Sequence, residues 1–418
     1  MPLTPAENTL CTAIRARDKE LRAMLADHVA IPTGRSHRPG LDAYIGRLRP
    51  RLLALGATES TASGIDRPGW LTLPDAGPPV DQPSPDVHIF NRIRGDGPRV
   101  LIAGHLDTVH DPFGPFQKVT ADADGTRAVG PGVVDMKGGI VVAIAALEAL
   151  HAHDVSCDWT VVFNADEETG SFGSAAVLEQ LAANHDIGIA LEPALADGGL
   201  AVERMGAGQF KIEVFGRSAH VGRSFTEGIS AVNALADVLR VVADIAAPSD
   251  GRIVSVGPIQ GGLVTNAVPD YAAAWGNMRF RDEAAGEEII RRLDALQTAP
   301  DAMPHVVVHH IRNRPAKPLI PTVQRYAERV RAAAEDTGQA LPFASTGGVC
   351  DGNILQHAGL PTLDTLGVRG GNLHRPDEWI DLTSLVDRAQ MLAVLLSRLS
   401  ALPAAEIGRG QATQDATM

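Results

Sequence analysis

The sequence predicts an α/β fold, in which a mostly parallel β-sheet has helices on both faces and a separate α+β unit is inserted into the chain. Two observations support this. Between residues 99 and 194, segments alternate in the order strand, helix, strand, helix, strand, which is typical of parallel strands joined by crossover helices. After about residue 203, apolar and polar residues alternate within strands, as they do when one side of a strand is exposed.

The chain before the alternating region gives three predictions. Residues up to about 55 are expected to be helical. Residues 64 to 85 are rich in Pro and Gly, which favours an irregular connection. The stretch "VHIFNRIRGDGPRVLIAGHLDTV" then places two apolar runs on either side of the turn sequence "GDG", and this pattern predicts a β-hairpin.

The alternating region contains three predicted strands and two predicted helices. The strands are "RVLIAGHLD", "WTVVFNADEE" and "IGIALEPA", and the helices are "MKGGIVVAIAALEALHAH" and "SFGSAAVLEQLAANH". In an open sheet of this type, ligands bind in the crevice outside the carboxyl ends of the strands. Polar side chains at these strand ends are therefore the first candidates for a functional site.

The predicted α+β unit covers residues 204–315. Its strands are "QFKIEVFGR", "RIVSVGPIQG", "YAAAWGNMRFR" and "HVVVHHI", and its helices are "GISAVNALADVLRVVADIAA" and "GEEIIRRLDALQ". Residues 1–203 and 316–402 then form one discontinuous domain, which ends with the amphipathic helix "LTSLVDRAQMLAVLLSRLS". Residues 403–418 are mostly small and polar, so we expect a disordered tail.

Charge and composition narrow the possible partners and compartments. The 418 residues carry a net charge of −13, which argues against a nucleic acid or an anionic membrane as partner. The N-terminal segment lacks the apolar core of a signal peptide, and no apolar stretch is long enough to span a membrane. Three scattered cysteines without C-x-x-C spacing indicate a reducing compartment, so we expect a cytoplasmic protein.

Ionisable residues lie at the ends of predicted strands of the parallel sheet, just before a predicted helix, and in a loop after a later strand. They are His105 and Asp107, Asp135, Glu167 and Glu168, Glu192, and His374 in a later loop. Adjacent carboxylates repel one another, and burying one of them unpaired costs several kcal/mol. A pair of divalent cations would offset the negative charge of these carboxylates. Imidazole and carboxylate groups suit zinc and similar metals, and one carboxylate can bridge two ions.

Each of these residues also has an ordinary structural explanation. A single His at a strand end is more often a hydrogen-bonded polar residue than a metal ligand. A pair of Glu residues often marks a solvated helix start, and Asp135 alone fits a helix cap. The hypothesis of a metal site therefore rests on the joint occurrence of these residues at successive strand ends.

Eight short motifs occur in a fixed order along the chain. They are "GHLDTV", "GVVDMKGG", "NADEETGS", "LEP", "GRSAHVG", "TNAVPD", "GGVCDGN" and "GNLHRPDE". With them the chain, from about residue 21 to 402, resembles the M20 family of dinuclear zinc metallopeptidases. That family includes glutamate carboxypeptidases, acetylornithine deacetylase, succinyl-diaminopimelate desuccinylase and aminoacylase. The resemblance implies that the inserted unit acts as a lid and dimerisation domain.

The resemblance also implies two divalent metal ions per subunit, with zinc as the first choice and cobalt or manganese as alternatives. His105 and Glu192 would bind one ion, and Glu168 and His374 would bind the other. Asp135 would bridge the two ions, and the peptide bond that follows it would be cis.

Three catalytic roles follow from the same resemblance. Glu167 would be the general base, which activates a water between the two metals and later protonates the leaving amine. Asp107 would hydrogen-bond the distal ring nitrogen of His105 and so fix its orientation. His220 would stabilise the oxyanion from the inserted domain of the partner subunit in a homodimer. The alternative for His220 is a solvated surface side chain.

The resemblance also implies that four residues hold the substrate carboxylate: Arg279, Asn266, Gly347 and Gly348. A bidentate Arg grip would restrict the enzyme to substrates with a free carboxylate. Many members of the family have Asp two residues before this Arg, whereas this chain has Asn277.

The leading hypothesis is the hydrolysis of an amide bond in an N-acyl amino acid or peptide that has a free carboxylate, as in the glutamate carboxypeptidases. An N-acyl-amino-acid deacylase of the acetylornithine deacetylase or aminoacylase type is the alternative. An N-carbamoyl-amino-acid amidohydrolase shares the fold, but it usually carries "HIEQG" where this chain has "ALEPA". A non-catalytic binding protein would have no need of Glu167 together with all five metal ligands.

Overall fold

A computed structural model describes residues 2–34, 36–73, 85–95, 97–403 and 406–407. Within these ranges, the α-helices are α1 (Pro5–Ala16), α2 (Asp18–Val29), α3 (Arg38–Ala54), α4 (Lys137–Ala152), α5 (Ala175–Ala182), α6 (Ala231–Ala243), α7 (Glu283–Asp294), α8 (Pro321–Asp336), α9 (Asp351–His357) and α10 (Ser384–Ser400). The first helix begins with a reciprocal cap: the Thr4 side chain accepts from the backbone of Glu7, whose carboxylate accepts from the backbone of Thr4.

The strands in the same ranges are mostly short. They are β1 (Thr58–Ala62), β2 (Val87–Arg92), β3 (Arg99–His105), β4 (Thr120–Ala121), β5 (Arg127–Val129), β6 (Asp158–Asn164), β7 (Ile187–Ala190), β8 (Leu200–Arg204), β9 (Gly206–Phe215), β10 (Arg252–Gly261), β11 (Tyr271–Phe280), β12 (His305–Arg314), β13 (Phe343–Thr346), β14 (Thr362–Leu363), β15 (Gly370–Gly371) and β16 (Trp379–Asp381).

The main sheet has six strands in the order β1-β2-β6-β3-β7-β14. Strands β6, β3, β7 and β14 are parallel, and β1 and β2 add an antiparallel edge. The predicted hairpin between β2 and β3 is wrong, because β6 lies between these strands and pairs with both. The physical reason is burial: β3 is buried from Val100 to His105, and a central strand of a parallel sheet has both faces covered by helices.

Helices cover both faces of this sheet, as the sequence predicts. Val100 and Ile102 of β3 pack into the large core with α4 and α10. The intervening Leu101 and Ala103 pack on the opposite face with residues of α5 and α9. Successive side chains of a strand point to opposite faces, so one buried strand supplies both cores.

Helix α4 is apolar on all sides and is buried along most of its length. Its first turn lies directly against the end of β7. A Cβ added to Gly139 would overlap the carbonyl oxygen of Leu191, so the absence of a side chain permits this approach. The contact brings the turn before α4, which carries Asp135, close to Glu192.

The second large sheet is antiparallel and has the strand order β10-β11-β9-β12. Helices α6 and α7 cover the face that carries Phe210, Ile212 and Val214. The other face of β9 is half-buried and polar. On the neighbouring strand β11, Trp275 pairs with Lys211 of β9, and its indole Nε1 donates to the backbone carbonyl of Trp70 at 2.9 Å.

Two chain segments connect the second sheet to the main sheet, and they lie side by side. Arg204 and Lys317 exchange backbone hydrogen bonds of 2.9 and 3.0 Å. Both side chains converge on the buried Asp364 carboxylate, at 2.7 Å from Arg204 and 3.2 Å from Lys317. This junction places the first residues of β9 and the last residues of β12 above the carboxyl edge of the main sheet.

Two predicted segments, the C-terminal tail and the irregular connection, lie partly outside the described residues. Most of the predicted tail, residues 404–405 and 408–418, lies outside the described residues, whereas Ile407 is buried in the main core. Residues 74–84 of the predicted connection also lie outside the described ranges. Where the chain is described, no helix combines the length and the apolar character needed to cross a membrane.

Candidate active site

The carboxyl ends of β3, β6 and β7 lie next to one another at one edge of the main sheet. His105 is the last residue of β3 and lies opposite Asn164, the last residue of β6. Glu192 follows β7 by two residues. Because neighbouring parallel strands end at the same edge, side chains from distant parts of the sequence meet there.

Asp135 lies in the turn before α4 and contacts both histidines of the site. Its Oδ1 is 3.2 Å from His105 Nε2, and its Oδ2 is 3.6 Å from His374 Nε2. The peptide bond between Asp135 and Met136 is cis, as the family resemblance implies. One carboxylate thus presents an oxygen to each side.

Glu168 and His374 form the other side of the cluster. Glu168 belongs to a short 3-10 turn after β6, and its Oε2 lies 3.1 Å from His374 Nε2. The atoms that could bind metal fall into two groups, each with all its atoms within 4.8 Å of one another: His105 with Asp135 and Glu192, and Asp135 with Glu168 and His374. Asp135 is common to both groups.

The charges of this cluster fit a pair of bound cations. Burial and the neighbouring carboxylates of Glu167 and Asp135 raise the pKa of Glu192 well above its ordinary value. The neighbouring carboxylates of Asp135 and Glu168 raise the pKa of His374 to about 10. Both shifts mean that the cluster favours added positive charge, and the mixture of imidazole and carboxylate donors suits zinc and related metals.

The two halves of the cluster differ in exposure. His105 is 1% exposed and Glu192 is 8% exposed. By contrast, 54% of the His374 side chain is exposed, and the residue lies in the loop between β15 and β16. Both carboxylates of the second group are mostly buried, with 9% of the Glu168 side chain exposed, so this half of the site reaches solvent through His374.

Glu167 lies beside the cluster and forms an ion pair with Arg314, a residue that the sequence analysis missed. Arg314 Nη2 is 2.9 Å from Glu167 Oε1, and the same guanidinium donates to Ser171 Oγ at 2.7 Å. Arg314 is 1% exposed and also lies 3.2 Å from Asp351. Burial raises the pKa of Glu167 to about 7, although Arg314 acts to lower it. A weak signal was present, since Arg314 lies three residues after the predicted strand "HVVVHHI" and directly before a Pro.

Asp107 lies behind His105 and contacts it in two ways. The distal ring nitrogen Nδ1 of His105 is 3.0 Å from the backbone carbonyl of Asp107 and 3.4 Å from its carboxylate. The carboxylate of Asp107 also accepts from the backbone nitrogen of Glu168 at 3.0 Å. Asp107 thus helps to place both His105 and Glu168, with its carbonyl as the nearer acceptor of the histidine.

A cavity of about 340 Å³ opens beside these residues, and its lining includes Glu167, Glu168, His374, Arg279, Asn277 and Gly348. Arg279 comes from β11 and pairs with Ala207 of β9. Burial lowers the pKa of Arg279, and among the described residues no carboxylate acts on it. The cavity therefore contains an unpaired guanidinium that suits an anionic group. Gly347 adjoins Gly348 and is exposed.

His220 and Asn266 lie elsewhere, at the far end of the second sheet. The backbone nitrogen of Val221 donates to the Asn266 carbonyl at 3.1 Å, so the two loops are neighbours. His220 follows the end of β9, whereas Ala207 near its beginning lines the cavity. Ten residues of extended strand span roughly 30 Å. Neither His220 nor Asn266 is among the described residues that line the cavity of their own chain.

Two curated relatives resemble most of the chain. Carboxypeptidase G2 of Pseudomonas sp. (strain RS-16) is 28% identical over 324 residues, which cover 75% of this chain and 77% of the relative. A succinyl-diaminopimelate desuccinylase of Methylorubrum extorquens is 28% identical over 362 residues, which cover 79% and 90% of the two chains.

A solved structure and a family model agree with these relatives. The YXEP protein of Bacillus subtilis, described as a dinuclear metal binding peptidase from the M20 family, superimposes with a TM-score of 0.64 at 17% identity and covers 93% of this chain and 99% of its own. The model of peptidase family M20/M25/M40 matches residues 101–398. The chain therefore belongs to this peptidase family and is a hydrolase that acts on amide bonds.

Proposed function

We propose that the enzyme hydrolyses the amide bond of an N-acyl amino acid or peptide that carries a free carboxylate. The observation that supports this most is the unpaired Arg279 in the same cavity as Glu167 and the two ligand groups. A guanidinium can grip a carboxylate with two parallel hydrogen bonds, and this grip would place the neighbouring amide over the cluster. The names of both relatives, a carboxypeptidase and a desuccinylase, are compatible with such substrates.

We propose that His105 and Glu192 hold one divalent ion, that Glu168 and His374 hold the other, and that Asp135 contacts both. Zinc is the first candidate, with cobalt and manganese as alternatives. Two such ions, when bound, polarise the amide carbonyl and lower the pKa of a water. Metal analysis tests the pairing: His105→Ala and Glu192→Ala should deplete one position, and His374→Ala and Glu168→Ala the other. A different grouping of the four variants would contradict the proposed pairing.

Glu167 is the proton carrier in this proposal. Its carboxylate takes the proton of the attacking water and later gives it to the nitrogen of the leaving amine, so that the amide is cleaved to a carboxylic acid and an amine. Arg314 holds the Glu167 side chain in place from the second sheet. Asp107 keeps His105 oriented with its distal nitrogen protonated.

We also propose that residues 204–315 form a dimerisation unit in a cytoplasmic homodimer, and that His220 and Asn266 complete the site of the partner subunit. The distance of both residues from their own cavity supports this. The outer surface of the second sheet supports it as well. Strand β10 is an edge strand, and exposed apolar side chains occur on it, on the loop after it and on α6: Ile253, Ile259, Leu263, Val264, Val232 and Val241. Such a patch suits a self-complementary contact.

A substrate pair tests the proposed activity. The metal-loaded enzyme is assayed against N-acyl glutamates, N-succinyl amino acids and dipeptides, each with a free carboxylate. Every substrate that is cleaved is then compared with its analogue in which this carboxylate is a carboxamide. Losing a charge-assisted hydrogen bond should lower kcat/KM by about tenfold or more. Equal rates for both members of each pair would remove Arg279 as the carboxylate site.

A mixing experiment tests the shared site. Inactive Glu167→Gln and inactive His220→Ala proteins are combined under conditions that exchange subunits. A mixed dimer then has one site with a native Glu167 and a native His220 from the partner, so activity should return toward half of the wild-type value per mixed dimer. If exchange is confirmed and no activity returns, His220 does not act across the dimer.

A further inference from the structure

We infer that Glu378 is a positioning residue for the metal cluster, because it fixes the turn that carries Asp135 relative to the loop that carries His374. This inference rests on the proposed metal site but not on the identity of the substrate. Glu378 is 1% exposed. It is not a member of either ligand group, so any effect on the cluster must pass through the residues that it holds.

The carboxylate of Glu378 accepts four hydrogen bonds. Its Oε1 accepts from the backbone nitrogens of Val134 at 2.9 Å and Asp135 at 3.1 Å. Its Oε2 accepts from the backbone nitrogen of Gly132 at 3.0 Å. The fourth partner is His110 Nε2 at 2.6 Å, which must carry the hydrogen because an ionised carboxylate only accepts. Three of the four donors belong to the short turn that ends at Asp135.

The backbone of Glu378 ties the same two segments together. Its carbonyl accepts from Gly130 at 3.1 Å, and the following residue, Trp379, pairs with Val129 of β5. His374 precedes Glu378 by only four residues in the same loop. One residue therefore joins the turn of the shared ligand Asp135 to the loop of the exposed ligand, although the two segments are far apart in sequence.

The hydrogen-bonding pattern requires a carboxylate at this position. Both oxygens face N–H donors, and charge-assisted bonds of this type are stronger than neutral ones. A glutamine would turn its own NH₂ group toward at least one of these donors, and an unsatisfied buried donor would then push the turn out of place. The change from Glu to Gln keeps the size of the side chain, so it tests the acceptor pattern and not the packing.

The chain offers a matched control in Asp158. This carboxylate is also buried, at 5% exposure, and accepts from the backbone nitrogens of Arg94 at 2.8 Å and Gly95 at 3.0 Å. Asp158 begins β6, so it lies at the opposite edge of the main sheet from Glu167 and Glu168, which follow the end of that strand. Asp158→Asn therefore disturbs a comparable buried turn away from the cluster.

The test measures zinc binding to the full-length protein, by chelator competition and by metal content per chain, for wild type, Glu378→Gln, Glu378→Asp and Asp158→Asn. We expect Glu378→Gln to weaken zinc binding by about 10- to 100-fold, the range typical of residues that orient metal ligands. Asp158→Asn should lower the melting temperature but leave zinc affinity within about threefold of wild type, because the residues that it holds lie away from the cluster.

If Glu378→Gln does not fold, the variants Glu378→Asp and His110→Gln are measured in its place. Each keeps part of the hydrogen-bond pattern, so each should cause a smaller loss of zinc affinity. Unchanged zinc affinity in the folded Glu378 variants, or an equal loss in Asp158→Asn, would overturn the inference. A wild type that binds two zinc ions but cleaves none of the substrates would contradict the proposed function and leave the positioning role intact.

Discussion

The two large sheets of the molecule distribute their polar residues in opposite ways. Three neighbouring strands of the parallel main sheet end at one edge, and the residues at their ends meet Asp135 from the turn before α4 and His374 from the loop between β15 and β16 there. The antiparallel second sheet separates its polar residues: Arg279 and Arg314 lie beside the cavity, and His220 and Asn266 lie at the far end. Strands of alternating direction send their connecting loops to both ends of a sheet. The parallel sheet thus brings most of one site together at a single edge, whereas the antiparallel sheet has polar residues at both ends and only one of these ends lies beside that site.

The largest effect is expected at the main sheet, for Glu167→Gln. The amide keeps the shape of the side chain but cannot take a proton, so kcat should fall by about 10²- to 10⁴-fold. Metal content should stay at the wild-type level, because Glu167 is not in either ligand group. Steady-state kinetics and metal analysis of the same preparation check both points. Retention of more than about a tenth of the wild-type rate would exclude Glu167 as the general base.

A smaller effect is expected at the near end of the second sheet, for Arg279→Met. Removing a charged hydrogen-bond partner is worth about 1.5–3 kcal/mol, so kcat/KM for a free-carboxylate substrate should fall by about 10- to 100-fold. The carboxamide analogue of the same substrate is the control, and its kcat/KM should change little. A similar loss for both substrates would mean that Arg279 supports the structure of the cavity and does not bind the carboxylate.

Arg314→Lys should have a milder effect with a different signature. Lysine keeps the positive charge, but it cannot reproduce the fork in which Nη2 donates to Glu167 and Ser171 while Nη1 donates to the Gly170 carbonyl. The loss of about one charge-assisted bond predicts a decrease in kcat of roughly tenfold with little change in KM. A change confined to KM would instead place Arg314 among the groups that hold the substrate.

The smallest effect is expected for Trp275→Phe, because Trp275 lies on β11 of the second sheet and is not among the described residues that line the cavity. The substitution removes the hydrogen bond to the Trp70 carbonyl and should cost about 1 kcal/mol of stability. A urea unfolding curve measures this cost, and kcat/KM should remain within about twofold of wild type. A clear loss of activity would show that the substrate reaches much farther along the sheet than the cavity beside Glu167.

Much of the fold could be predicted because its signals are local. The crossover helices and buried strands between residues 99 and 194 are visible as separate apolar segments, and parallel pairing then places their ends together. The hairpin between β2 and β3 was wrong because strand order depends on distant partners, and β6 is more than fifty residues further along the chain. A turn signal shows that the chain reverses or bends, but it does not show which strand becomes the neighbour.

The candidate site was only partly visible for a related reason. Ionisable residues at the ends of main-sheet strands stand out in the sequence, and the structure brings His105, Glu168 and Glu192 together with Asp135 and His374 from two loops. Arg314 and Glu378 act by holding other residues, and their partners are more than a hundred positions away. Spacing along the chain gives no sign of such contacts. The sequence also could not show that Arg279 and Asn266 lie at opposite ends of one sheet.

The unequal exposure of the two halves of the cluster has a kinetic consequence. An ion held by Glu168 and the half-exposed His374 would meet solvent and chelators on the side of His374. An ion held by the buried His105 and Glu192 would leave only when the surrounding core opens locally. The two positions would then exchange at different speeds even with the same metal in both. Brief treatment with a chelator, followed by a second metal, would give a mixed form in which the buried position retains the first metal and the exposed position follows the current supply.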